Sequence, residues 1–148
     1  MIWVDADATP RAVKEMIYRA SQRTGEKVIL VANQWFQTPR SPTIELRVVG
    51  KGFDVADEHI AENVSDGDLV ITQDVPLAVA AVEKGCLVID NRGKIIDADN
   101  ARSRLSMRDF LETVRESGEM TGGPPPFSDK DKRRFAGELD RWLARRKA

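Results

Sequence analysis

At 148 residues, 41% apolar and 32% charged, the chain is long and apolar enough for one soluble domain with its own core. A net charge of −1 gives no sign of nucleic-acid binding driven by bulk charge, and no apolar run approaches the ~20 residues of a membrane span. One cysteine (Cys86) and one histidine (His59) exclude an internal disulfide and a His/Cys zinc centre; without a basic-then-apolar leader, this predicts a cytoplasmic protein.

Residues 2–4 are a short apolar run, predicted to be a buried strand, and Asp5 and Asp7 close that strand. Thr9 and Pro10 spell a helix start, with Thr9 as N-cap, and Gly25 stops that helix. Residues 28–32 are a second strand ending at Asn33. A loop with Trp35, Phe36 and two prolines leads to a third strand, in which Ile44, Leu46 and Val48 alternate. A helix is predicted over 54–64, a fourth strand over 69–72, a helix over 76–84 and a fifth strand over 87–89. Asn91 to Lys94 is a turn into a short edge strand at Ile95 and Ile96. A capping box at 106–109 opens a helix to 117, and the Gly/Pro run at 121–126 is a stiff linker. Ser128 caps a last helix with an apolar stripe of Phe135, Leu139, Trp142 and Leu143. From 129 onward eight Lys and Arg face four Asp and Glu, a local charge of +4 that leaves −5 for the rest.

Strands alternating with helices predict a three-layer α/β/α fold with a mainly parallel sheet, whose ligand site lies beyond the C-terminal ends of the strands. The predicted organisation is an α/β domain over 1–118, a linker over 119–127 and a C-terminal amphipathic helix over 128–148. Asp5, Asp7, Asn33, Asp74 and Asp90 all fall at or just past strand ends. Asp5 and Asp7 close the first strand, so alternation points them the same way, and two adjacent like charges call for a cation. A hard divalent ion, Mg2+ or Mn2+, suits carboxylate oxygens. Thr9 and Pro10 already start the helix, so capping accounts for one aspartate at most. Asp74 alone reads as a helix N-cap; beside Asp5 and Asp7 it becomes a third carboxylate, completing a predicted metal set of Asp5, Asp7 and Asp74. Asp54 and Asp57 share a helix face, as ligands or as N-cap and first-turn charge. His59 has no matching nucleophile signature, Cys86 reads as a small hydrophobe, and no Gly-rich phosphate loop occurs. Arg40 and Arg92 are candidate phosphate contacts, with Asn33 as a further substrate contact. Surface charge is the default reading of the two arginines.

Val4 to Pro10, Leu30 to Gln34, Gly52 to Asp57, Gly67 to Ala78, Met107 to Phe110 and Thr121 to Pro125 together resemble the bacterial YaiI/YqxD family, grouped with PIN-like and NYN-like domains. The resemblance implies an α/β/α fold and Mg2+- or Mn2+-dependent ribonuclease chemistry at an acidic cluster. It assigns Asp5, Asp54, Asp57 and Asp74 to that cluster. Pro76 stands where NYN-like domains often carry another aspartate, and Thr9 stands where the family usually has Cys. Asp5 to Thr9 also spells the opening of haloacid-dehalogenase-like phosphatases, with Asp5 as nucleophile and Asp7 as acid/base. Asn33 stands where that family needs Ser or Thr, and its later motifs fit poorly. The resulting expectation is a metal-dependent phosphodiesterase or ribonuclease with catalytic acids Asp5, Asp7, Asp54, Asp57 and Asp74. The alternatives are a non-catalytic RNA- or protein-binding module and a phosphatase. RNA is the expected partner, no membrane is involved, and the last helix is expected to pack across the body or onto a second copy of the chain.

Overall fold

The computed structural model describes residues 1–52, 54–97, 99–100 and 127–147. The helix expected over 106–117 and the linker over 121–126 lie outside these residues. Six strands form one sheet in the order β3-β2-β1-β4-β5-β6. They are β1 (Ile2–Asp5), β2 (Val28–Ala32), β3 (Ile44–Val48), β4 (Leu69–Ile71), β5 (Leu87–Ile89) and β6 (Ile95–Ile96). All neighbours are parallel except β5 and β6. The described helices are α1 (Arg11–Thr24), α2 (Val55–Asn63), α3 (Val75–Glu83) and α4 (Asp129–Lys147).

The central strands are apolar at nearly every position because both faces of a parallel sheet are covered. On one face Ile2, Val4, Leu30 and Ile71 meet Val13 and Ile17 of α1 and Phe135, Leu139, Trp142 and Leu143 of α4. On the other, Trp3, Ile29, Val31 and Val70 meet Ala56 and Ile60 of α2 and Leu77, Ala78 and Ala81 of α3. This is the expected three-layer α/β/α fold. The apolar stripe of α4 packs across the body of its own chain, each large side chain contributing about 1.5–3 kcal/mol of burial. Ser128 and Asp131 cap α4 reciprocally. The Asp131 N–H donates to Ser128 Oγ at 3.2 Å, and the Ser128 N–H donates to Asp131 Oδ2 at 3.0 Å. Gly25 ends α1 in the left-handed conformation (φ 79°), as the sequence predicts.

The N-terminal reading needs two corrections. The strand stops at Asp5, and residues Ala6–Ala8 form a 3-10 turn, so strand alternation does not set the direction of Asp7. Thr9 does not cap α1 either. Its Oγ1 donates to the Asp5 carbonyl at 2.7 Å and closes the turn, while Pro10 occupies the N-cap position. A hydroxyl four residues past a strand end satisfies the nearest orphan carbonyl rather than the next helix.

Candidate active site

The strand order reverses between β1 and β4, the point where an open parallel sheet leaves a crevice at its C-terminal edge. A cleft of about 490 Å³ opens there, lined by Asp5, Asp7, Asn33, Asp54, Asp57 and Asp74, with Gln73 and Gly52 beside them. Five carboxylates and no lysine or arginine line it, among the described residues.

Each acid arrives by a different route. Asp5 ends β1 and is 8% exposed, with Oδ2 accepting from Thr72 Oγ1 at 3.1 Å. Thr72 follows β4, and its hydroxyl oxygen also accepts the Asp74 N–H at 3.0 Å, so one side chain aligns both acids. Asp74 caps α3, its Oδ2 accepting the Leu77 N–H at 2.9 Å; the plain capping role and the cleft position coexist. Asp57 stands in the first turn of α2. Asp54 precedes that helix with φ 68°, the single non-glycine residue of positive φ among the described residues. Its side chain makes no capping hydrogen bond. A strained backbone that does not serve a cap is a mark of a functional position.

Oxygens of Asp54, Asp57 and Asp74 lie within 4.8 Å of one another. Opposite ligands of one Mg2+ stand about 4.2 Å apart, so small side-chain adjustments bring all three onto one hard cation. The donor set therefore fits Mg2+ or Mn2+. The geometry gathers Asp54, Asp57 and Asp74 most closely. Asp5 stands beside Asp57, whose carboxyl its charge pushes up, and Asp7 stands at the rim with Oδ2 accepting the Asn33 N–H at 2.8 Å.

The electrostatics follow from this crowding. Burial pushes the Asp57 carboxyl up to about 7, and repulsion from Asp5, Asp74 and Asp54 adds to the effect. Burial also raises Asp5, against the Thr72 hydrogen bond that favours its charged form.

Residues 3–145 match the family model described as "Uncharacterized BCR, YaiI/YqxD family". The chain belongs to that family. It is 51% identical over 144 residues to a UPF0178 protein of Shewanella sp. (strain MR-7), covering 97% of this chain and 95% of that one. A UPF0178 protein of Shewanella amazonensis is 52% identical over 144 residues, 97% of each chain. One from Saccharophagus degradans is 53% identical over 144 residues, 97% of this chain and 95% of that one. No solved structure matches it. The family resemblance placed Asp5, Asp54, Asp57 and Asp74 at one site, and all four line the cleft.

The basic residues singled out with them do not join the cleft lining. Arg40 is exposed on the loop after Asn33. Arg92 pairs with Asp131 at 2.8 Å and so ties the β5–β6 turn to α4. Asn33 lines the cleft, but its Nδ2 donates to the Gly50 carbonyl at 3.0 Å, bracing the wall. Asp90 accepts the N–H groups of Arg92 and Lys94, both at 2.9 Å, and shapes a turn. His59 is a half-buried helix residue with Nε2 3.3 Å from Arg47 Nη1. Cys86 is buried, and burial pushes its thiol up to about 11, consistent with a small hydrophobe. Thr72 is the functional residue that sequence reasoning missed. Its signal was the Thr-x-Asp spacing before a helix, which puts a hydroxyl within reach of the Asp74 N–H.

Proposed function

We propose that the cleft is a divalent-cation-dependent phosphodiesterase centre acting on RNA. The observation that carries this reading is the set of three carboxylates within 4.8 Å at the switch point of the sheet, in a cleft lined, among the described residues, by no cationic side chain. A phosphate meets five carboxylates there, and a cation between them and the phosphate turns that repulsion into attraction. Asp54, Asp57 and Asp74 would hold that ion, which supplies Lewis-acid polarisation of the phosphodiester. Asp57 would bind the ion as its anion, so the crowding that raises its carboxyl in the metal-free cleft is relieved when the ion enters, and Asp5 stands beside it. Thr72 fixes Asp5 and the backbone of Asp74 together.

Two features speak against the phosphatase alternative. Asp5 is nearly buried and its carboxyl is engaged by Thr72, which leaves a poor path for in-line attack. The Thr9 hydroxyl, the third letter of the phosphatase signature, is bonded to the Asp5 carbonyl.

The test is cleavage of single-stranded RNA with and without Mn2+. Wild type is expected to cut only with the ion. Asp74→Asn keeps the capping oxygen and loses the charge, so it is expected to fold and to lose activity. Asp57→Asn should lower the rate about 100-fold or more. RNA bound but left intact by metal-loaded protein would instead support the non-catalytic module, and hydrolysis of phosphomonoesters alone would support the phosphatase.

A further inference from the structure

We infer that Trp35 is a stacking platform for a base of a single-stranded nucleic acid whose phosphate lies in the acidic cleft. The choice of ligand rests on the phosphodiesterase reading above. The placement rests on the loop that carries Trp35.

The chain has three tryptophans. Trp3 and Trp142 are 3% and 5% exposed, whereas Trp35 is 73% exposed, the most exposed of the large apolar side chains among the described residues. An indole left in water forgoes a large area of burial, and Trp35 is held there by anchors on both sides. Two residues before it, Asn33 is fixed by its N–H to Asp7 and by its side chain to Gly50. One residue after it, Phe36 packs against the core on the α1 side, with Lys14 Nζ 4.2 Å from its ring centroid. The loop is pinned and the ring faces solvent.

Position gives the ring its ligand. Asn33 is a wall of the acidic cleft, and two residues of chain span at most about 7 Å. The indole therefore stands within about a nucleotide's reach of the carboxylates. Lys14, beside the same loop, supplies positive charge that the described lining of the cleft lacks. A flat exposed aromatic, a neighbouring cation and a nearby phosphate-handling site are the parts of a single-strand groove, in which bases stack without sequence readout. A large exposed apolar patch would mark a protein-binding site, whereas the neighbours of Trp35 on the loop, Gln34 and Gln37, are exposed polar residues.

The test uses the full-length unsubstituted chain, Mn2+ and a short oligouridylate with phosphorothioate linkages that resist cleavage, so that the cleft keeps all its carboxylates. Since the other two indoles are buried, iodide quenching of tryptophan fluorescence reports Trp35. The oligonucleotide is expected to protect it. Trp35→Ala should weaken binding about ten-fold, Trp35→Phe should restore most of the loss, and Trp35→Leu, apolar but not flat, should not. Unchanged affinity in Trp35→Ala, full iodide access at saturating oligonucleotide, or no oligonucleotide binding at low salt would each overturn the inference. The two readings fail separately. RNA cut equally well by Trp35→Ala removes the stacking role and leaves the phosphodiesterase. RNA that protects Trp35 yet is never cut by the unsubstituted enzyme does the reverse.

Discussion

Asp57 sets the behaviour of the site because it is the acid that crosses neutrality. Its carboxyl sits near 7 in the fold and at about 3.8 in an unfolded chain. Between those values the folded state holds the extra proton, so stability is greatest in acid and falls as pH rises through about 7. Thermal melts of metal-free protein are expected to show Tm falling from pH 5 to pH 8, and Asp57→Asn should flatten that slope. A divalent cation should reverse the loss above pH 7, by about 2.7 kcal/mol at a concentration one hundred times its Kd. Asp54 makes a complementary case. A left-handed conformation costs an L-residue about 1–2 kcal/mol, and the charge adds repulsion within the acid cluster. Asp54→Gly is expected to raise the stability of metal-free protein by about 1 kcal/mol while weakening Mn2+ binding, as followed by denaturant unfolding and by calorimetric titration. A variant both less stable and equally able to bind Mn2+ would contradict the role given to Asp54.

At the scale of elements, the turn between β5 and β6 docks α4. A Cβ on Gly93, which has φ 80°, would stand 2.5 Å from the Phe135 nitrogen and 2.6 Å from the Arg134 carbonyl carbon. Gly93→Ala should therefore cost at least about 2 kcal/mol, by combining backbone strain with overpacking. Gly25 has the same hand, φ 79°, with nothing within 4 Å of its missing Cβ, so Gly25→Ala should cost only about 1 kcal/mol. Urea unfolding of the pair separates contact from conformation. Thr72→Val should keep the strand end but release Asp5 and the Asp74 N–H, lowering cation affinity about 10- to 100-fold as loss of an orienting partner does. The strands were legible because buried parallel strands leave continuous apolar runs, and β5 was predicted with its observed bounds. The start of α1 was not. Nothing in the Asp5–Pro10 segment says that Thr9 will satisfy a carbonyl behind it rather than amides ahead.

For the whole molecule, topology explains what could be read in advance and what could not. Acids at strand ends converge on one edge in any parallel sheet, so Asp5 and Asp74 were foreseeable neighbours. Which acids share an ion depends on the path between elements. The 3-10 turn carries Asp7 to the rim, and the left-handed Asp54 brings α2 over the crevice, two events without a pattern in the sequence. Among the described residues, no helix is long and apolar enough to cross a membrane. The α4 stripe, read as covering either the body or a second copy, covers the body. The central claim is that Asp54, Asp57 and Asp74 hold a divalent cation, and anomalous diffraction from crystals soaked in Mn2+ above pH 7 tests it most directly. The account predicts one peak bounded by those three carboxylates, absent in Asp74→Asn. A crystal saturated with Mn2+ that shows no peak among them would contradict it.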